Sequence, residues 1–212
     1  MKAAEALSRL RSLGVPVVST GDAAVALDLA IDAASHTLRR LAHEGLVSAL
    51  RRGLWSIDGP PDRLALAEYL TAPQPAYVSL QSAMYLRGMI EQIPEVVYLV
   101  SLGRSQTITT SVAVYRVHHV PPELFGGFEY LPDRGVKLAV PEKAIIDLLY
   151  LSGTRLRTFR SLPELELPRG FRMGTARRWI AKIPSPRLRT LVERRFEESV
   201  RPARGGGRAP EA

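Results

Sequence analysis

The chain has 212 residues, a hydrophobic content of 46% and a formal net charge of +8. That length and apolar fraction suffice for the core of one large or two small domains. The absence of cysteine excludes disulfides, zinc–thiolate sites and cysteine nucleophiles. Because the sequence has neither an apolar run of about 18 residues nor a basic-then-apolar leader, we expect a cytoplasmic protein without a membrane span.

Residues 3–13 predict an amphipathic first helix. Apolar side chains recur there at helical spacing, and Gly14 follows as a residue that ends helices. The side chains expected on its buried side are Ala6, Leu7, Leu10 and Leu13. This helix would complete the three-helix core of an N-terminal domain.

Residues 20–57 predict two further short helices followed by a tight basic hairpin. In the second of these helices, Asp32 is the expected N-cap, and Gly45 is expected to end the helix in a left-handed conformation. Its apolar side consists of Ala34, Leu38, Leu41 and Ala42. Its opposite side carries His36, Arg40 and His43, with Arg39 on the flank. One side is therefore expected to pack and the other to meet a ligand.

The hairpin after this helix has a basic turn. Two short strands, 46–50 and 54–57, are joined through Arg51, Arg52 and Gly53, where glycine permits a positive φ. This order of elements is the outline of a winged helix-turn-helix, which places one helix in a DNA groove. Two other interpretations stay open. The basic side of the helix could be merely solvated, or the winged helix could dock proteins only.

The rest of the chain predicts a mixed α+β domain. The run 58–61 is a turn or linker. Helices are expected over 63–70, 79–87, 142–151, 173–183 and 186–200. Strands are expected over 96–100, 112–117, 128–131 and 136–140, with 103–111 as a connection. The predicted division is a winged helix-turn-helix over 1–58, a mixed α+β domain over 62–200 and a mobile basic tail over 201–212.

The positive charge lies mainly outside the predicted winged helix. Residues 1–57 carry a net charge of +2, residues 58–154 carry −3, and residues 155–208 carry +10. Such a field attracts polyanions through counterion release, and it would also attract an acidic protein. We hypothesise that residues 155–208 extend the electrostatic footprint of the protein on DNA.

Histidine and serine residues give weak signals for catalysis. His118 and His119 are adjacent, so in a strand they point to opposite faces and are poorly suited to one metal ion. Ser79 stands at the start of a predicted helix, where capping explains it as well as catalysis would. Neither pattern predicts an active site.

An acid–lysine cluster is the remaining catalytic candidate. Glu142, Lys143 and Asp147 suggest a nuclease, but the carboxylate, spacer and lysine arrangement that such enzymes place on a strand is absent. A favourable helix N-terminus for Glu142 and an i,i+4 pair between Lys143 and Asp147 explain the three residues. We therefore predict no enzyme activity, no cofactor and no metal site.

Several short segments occur in an order that is similar to a known family. They are 77–83 (YVSLQSA), 86–88 (LRG), 92–94 (QIP), 119–125 (HVPPELF) and 139–144 (AVPEKA), followed by Asp147. With the N-terminal segment 52–55 (RGLW), they resemble the AbiEi antitoxins of bacterial AbiE-type toxin–antitoxin systems, which act in phage resistance. The resemblance covers roughly residues 5–150 and depends on the order of individually weak motifs.

The resemblance implies a transcriptional repressor of its own operon that also counteracts a nucleotidyltransferase-like toxin without a stable complex. The family's winged helix binds inverted repeats in double-stranded DNA, and its second domain serves antitoxicity and cooperative repression. Carried onto this chain, the DNA-binding residues are His36, Arg39, Arg40, His43, Arg51 and Arg52. Arg39 or Arg40 would pair with guanine while the other arginines hold phosphates. The alternative is a protein-interaction module that neutralises an acidic toxin by direct binding, with only incidental DNA affinity.

Overall fold

The computed structural model describes residues 2–153 and 165–200, which form the mixed α+β fold predicted from the sequence. Two compact units are present. The first consists of the residues up to Val78 with Glu95–Val120 and Glu129–Leu138. The second consists of Ser79–Pro94, Pro121–Phe128 and the described residues from Ala139 onward. The expected tail over 201–212 lies outside the described residues, and the domain limits at 58 and 62 stay predictions.

The first unit begins with three helices and a small antiparallel sheet. The helices are α1 (Ala3–Arg11), α2 (Thr20–Leu27) and α3 (Ile31–His43). The strands are β1 (Val17–Ser19), β2 (Ser48–Arg51) and β3 (Leu54–Ser56), in the order β1-β3-β2. A common core joins these elements, with Leu10, Leu27, Leu38, Leu41 and Trp55 among its buried members.

The buried side of α1 follows the predicted spacing for three of its four residues. Ala6, Leu7 and Leu10 are buried as predicted. Leu13 is 41% exposed, so its assignment to the buried side is wrong. The helix ends at Arg11, and Leu13 therefore lies beyond the last turn in which helical spacing applies.

The ends of α2 and α3 use different residues. The Oγ of Ser19 caps α2 by accepting the N–H of Asp22 at 3.0 Å, and Asp28 ends that helix in the left-handed region. For α3 the N-cap position is Ala30, which makes no side-chain cap, so the predicted cap by Asp32 is wrong. Gly45, with φ +72°, confirms the expected left-handed residue after α3.

A six-stranded sheet follows the small sheet in the chain. Its strands are β4 (Ala76–Val78), β5 (Val97–Ser101), β6 (Gln106–Thr109), β7 (Val114–His119), β8 (Phe128–Leu131) and β9 (Val136–Ala139), in the order β6-β7-β5-β4-β9-β8. All five residues of β5 are buried, as an interior strand requires. Strand β5 pairs parallel with β7 and antiparallel with β4.

Two predictions near this sheet are wrong. The expected connection 103–111 contains a strand, β6. Its sequence, QTIT, is mostly polar and exposed, and it lacks the alternation of apolar and polar residues that predicts a strand. Pairing with β7 makes this segment a strand, for example at Ile108 opposite Tyr115. The helix expected over 63–70 is shorter, because regular helix begins only at Ala67 in α4 (Ala67–Thr71).

The second unit is helical. It contains α5 (Leu80–Leu86), α6 (Pro141–Gly153), α7 (Met173–Ala181) and α8 (Pro186–Ser199). Helix α6 packs against the other three, and most of its side chains are buried on all sides. Such a helix is expected at the centre of its unit. Pro184 separates α7 from α8, as predicted.

Gly127 is a closely packed glycine of this unit, and its positive φ adds a second constraint on substitution. A Cβ there would lie 2.8 Å from Cζ2 of Trp179 and 2.9 Å from Cγ of Lys143, and its φ is +71°. We expect Gly127→Ala to lower the free energy of unfolding by about 2–4 kcal/mol, because overpacking adds to the left-handed backbone cost. Urea denaturation measures this change.

Gly135→Ala is the matched control. Gly135 also has a positive φ, +62°, but a Cβ there would meet nothing within 4 Å. We expect Gly135→Ala to lower the free energy of unfolding by only about 1–2 kcal/mol, the cost of a left-handed backbone at a residue with a Cβ. Equal losses in the two variants would contradict the packing argument.

Candidate nucleic-acid interface

The two sides of α3 differ as its sequence predicts. Ala34, Leu38 and Leu41 are fully buried against the core of the first unit. The four predicted DNA-binding side chains of this helix are exposed: His36, Arg39, Arg40 and His43. Packing on one side therefore fixes the helix and leaves the other side available to a ligand.

Arg39 has only weak contacts within its own helix. Its Nε lies 3.3 Å from the carbonyl oxygen of Ser35, and its Nη2 lies 3.4 Å from the Oγ of Ser35. Both distances are at the long end for a hydrogen bond, and both partners are neutral. A phosphate or a guanine edge would offer this guanidinium a stronger, charge-assisted or bidentate partner.

The basic hairpin forms close to the predicted residues. The turn between β2 and β3 contains Arg52 and Gly53, and Gly53 has the expected positive φ of +79°. Arg51 and Arg52 are both exposed. The register shifts between Ala49 and Arg51, and such an irregularity bends a strand and turns its side chains.

Two hydrogen bonds fix this hairpin to the start of α2. The indole N–H of Trp55 donates to the Oγ1 of Thr20 at 2.9 Å, and the backbone N–H of Thr20 donates to the carbonyl of Gly53 at 3.0 Å. Trp55 is also part of the core that holds α3. The exposed cations of the helix and of the hairpin therefore belong to elements that share one core.

A loop of the larger sheet adds a further restraint on the hairpin. Between β6 and β7, Ser111 donates its N–H to the carbonyl of Leu50 at 2.8 Å and its hydroxyl to the carbonyl of Ala49 at 2.9 Å. Both acceptors lie in β2, which is the edge strand of the small sheet. The sequence analysis missed this contact because it joins residues about 60 positions apart.

We expect Ser111→Ala to weaken binding to the protein's own upstream DNA about two- to fivefold. The variant loses the hydroxyl bond that restrains the strand before Arg51, while the charge is unchanged. A fluorescence-anisotropy titration at fixed salt measures the change in dissociation constant. Thr107→Ala, an exposed residue of β6, is the control and should bind like the wild type. Identical affinities for the Ser111 variant and the wild type would contradict a positioning role.

Two apolar side chains on either side of the α2–α3 turn are exposed, one in α2 and one at the start of α3. Val25 is 83% exposed and Ile31 is 64% exposed. They border an open hollow of about 600 Å³ beside the first turn of α3. An exposed apolar residue at the start of a helix has no distinct sequence signal, because apolar residues usually indicate a buried position.

The two adjacent histidines occupy opposite faces of β7, as predicted. His118 is buried and stacks on Tyr98 with ring centroids 6.1 Å apart, whereas His119 is exposed. Burial lowers the pKa of His118 to about 4, and the charge of Arg116 adds to this shift. Within residues 2–153 and 165–200, no group of three or more possible metal ligands comes together.

The acid–lysine residues form a buried cluster in the second unit. Lys143 and Asp147 make the predicted i,i+4 ion pair, with side chains only 0% and 2% exposed. Ser79 does not cap α5 as predicted, because its hydroxyl donates to Oδ2 of Asp147 at 2.7 Å. Glu142 accepts the N–H of Arg172 at 2.6 Å and thereby joins α6 to the residue before α7.

The surroundings of Lys143 seal this cluster from solvent. Its ammonium lies 4.9 Å from the ring centroid of Trp179. Burial lowers the pKa of Lys143, and the carboxylate of Asp147 opposes that shift. Both charged side chains are therefore packed in the interior of the second unit, where loss of either partner would leave a buried charge. The depth of burial of the cluster has no signal in the sequence, where charged residues usually indicate a surface.

No protein-family model matches the chain, and no curated protein matches it in sequence. None of the described helices has the length and apolar character needed to cross a bilayer.

Proposed function

We propose that residues 1–58 form a winged helix-turn-helix that binds operator DNA, and that the protein represses its own toxin–antitoxin operon. The observation that carries this proposal is the exposed basic side of α3 next to a basic hairpin on one shared core. In a winged helix, the helix corresponding to α3 enters the major groove, and the hairpin contacts the backbone or the minor groove.

Each group of cations has a distinct task in this proposal. Arg39 or Arg40 reads guanine through its N7 and O6 acceptors, which a guanidinium can engage with two bonds. The other arginine, Arg51 and Arg52 bind phosphates and set the register on the duplex. His36 and His43 lie on the same exposed side of α3 and contact base edges or phosphates there.

The antitoxin part of the proposal depends on the resemblance to the AbiEi family. The protein would counteract a nucleotidyltransferase-like toxin, and the second unit, together with the larger sheet, would serve that activity. The buried Lys143–Asp147 pair gives no support for an enzyme, because its side chains are sealed from solvent.

A gel-shift titration with the wild-type chain tests the DNA proposal. The probes are the protein's own upstream DNA and a scrambled duplex of equal length, each at two salt concentrations. Selective binding with a steep salt dependence is expected, because phosphate contacts release counterions. Equal, weak binding to both duplexes would overturn the proposal and would favour direct binding of an acidic protein partner.

We also propose that the basic residues of α7 and α8 extend the surface of the protein that attracts DNA. Deleting α8 is not a usable test, because Val192 and Phe196 are buried and the helix packs on α6. Arg177 and Arg178 of α7 are exposed and offer a milder change. We expect Arg177→Gln/Arg178→Gln to reduce operator affinity and to lower the salt slope by about 1 to 2. An unchanged slope would remove this surface from the footprint.

A further inference from the structure

Asp32 is an exposed acidic residue in the first turn of α3. The sequence suggests that it caps the helix, but α3 begins at Ile31 and the N-cap position is Ala30. Asp32 is exposed, and among the described residues no hydrogen bond or ion pair engages its carboxylate. The helix dipole favours an acid in this turn, but it would do so equally at any position of the first turn.

Asp32 lies on the same stripe of α3 as the cations proposed to read DNA. It precedes His36 by four residues, and His43 follows at seven further positions, so all three point away from the buried Leu38. The N-terminal residues of a helix in the major groove are those that contact base edges. Asp32 is therefore at a reading position, on the side of the helix that also carries His36 and, two turns further on, Arg39.

A carboxylate discriminates among the groups that a major groove presents. It only accepts hydrogen bonds, so it pairs with the amino group of cytosine and not with the acceptors of guanine, while adenine places the N7 acceptor beside its amino group. The phosphates of every duplex repel this carboxylate. Only a base that donates a hydrogen bond to it offsets the repulsion, so a duplex without such a donor at this position binds more weakly. Discrimination of this kind lowers affinity for wrong sites more than it raises affinity for the right one.

We propose that Asp32 is a specificity-determining residue of the DNA site, which selects cytosine at one position of each half-site and weakens binding to other sequences. This inference rests on the proposed function of α3. It differs from that function by assigning an acidic residue, rather than the arginines, to the rejection of incorrect DNA.

The test is selection from a randomised duplex pool with the full-length wild type, Asp32→Ala, Asp32→Asn and Glu44→Gln. Glu44→Gln and Asp32→Asn change the net charge equally. Glu44 is the exposed C-cap residue at the other end of α3, 12 residues and therefore about 18 Å along the helix axis. Thermal unfolding of each variant separates folding effects from recognition.

The inference predicts a change at a single position of the selected site. Asp32→Ala should reduce the preference for cytosine there about five- to tenfold, and Asp32→Asn should shift it toward adenine, which an amide pairs with. Glu44→Gln should keep the wild-type preference. Identical selected sequences for the Asp32 and Glu44 variants would overturn the inference while leaving the DNA proposal intact. A wild type that selects no sequence would overturn both.

Discussion

Replacing Asp147 with alanine is expected to lower the free energy of unfolding by about 3–5 kcal/mol. The substitution leaves the ammonium of Lys143 buried without its carboxylate, and it removes the acceptor of the Ser79 hydroxyl. An uncompensated buried charge costs far more than the lost contact itself. Chemical denaturation of the full-length chain at pH 7 measures the loss.

The size of this effect comes from the burial of the pair. Exposed ion pairs contribute little, because water already solvates both charges. Asp133→Ala removes an exposed carboxylate and should change stability by less than about 0.5 kcal/mol. The double substitution Lys143→Met/Asp147→Leu removes both charges, and it should be much closer to the wild type than Asp147→Ala is.

The pH dependence gives a second measurement of the same pair. Burial already lowers the pKa of Lys143, and removal of Asp147 lowers it further, since the carboxylate is the group that opposes the shift. The unfolded chain of Asp147→Ala then binds more protons than the folded chain, so its stability rises with pH. The deficit relative to the wild type should shrink as the pH approaches the ordinary lysine value of 10.5. A deficit that does not change between pH 7 and pH 10 would contradict a charged lysine as the cause.

Replacing Arg39 and Arg40 together with alanine is expected to weaken operator binding about 30- to 1000-fold. A bidentate contact with guanine contributes about 1–3 kcal/mol and a phosphate contact adds to it, and each 1.4 kcal/mol corresponds to a factor of ten. Both residues are exposed on α3, so folding should be unaffected. Gel-shift titration against the upstream DNA and a scrambled duplex measures affinity and selectivity.

Arg9→Ala/Arg11→Ala is the matched control for this double substitution. It also removes two positive charges from exposed positions, but these belong to α1, where Arg9 pairs with Glu5 and Arg11 with Asp58. Only a small, salt-dependent loss is expected, because each guanidinium already neutralises a carboxylate. If both double variants lose affinity equally, net charge and not α3 accounts for binding. If neither loses affinity, DNA recognition lies elsewhere in the chain.

Local spacing in the sequence determined the elements that bury one side and expose the other. Helix α3 is the clearest case, because Leu38 and Leu41 recur at helical spacing and Gly45 marks its end. The basic turn before Gly53 follows from the same kind of local signal, a glycine between two short strands. Such features depend on neighbouring residues only, so periodicity and turn chemistry suffice to predict them.

Tertiary structure decided the features that depend on distant partners. Strand β6 has no apolar alternation and exists through its pairing with β7. Ser79 has the position of a helix cap in the sequence, but its hydroxyl donates a hydrogen bond to the carboxylate of Asp147, 68 positions away. The Lys143–Asp147 pair was visible as an i,i+4 pattern, yet only the packing of α5, α7 and α8 around α6 removes it from water.

The same distinction applies to the candidate site. The exposed cations of α3 and the hairpin can be predicted from sequence. Where apolar residues at regular spacing mark the buried side of an element, the remaining residues lie on the exposed side. Two other features of the site cannot be predicted without the fold. They are the hydrogen bonds from Ser111 to the hairpin and the absence of a capping role for Asp32. The restraint by Ser111 needs a loop of another sheet, and the loss of the capping role depends on a helix that starts two residues earlier than a cap at Asp32 would place it.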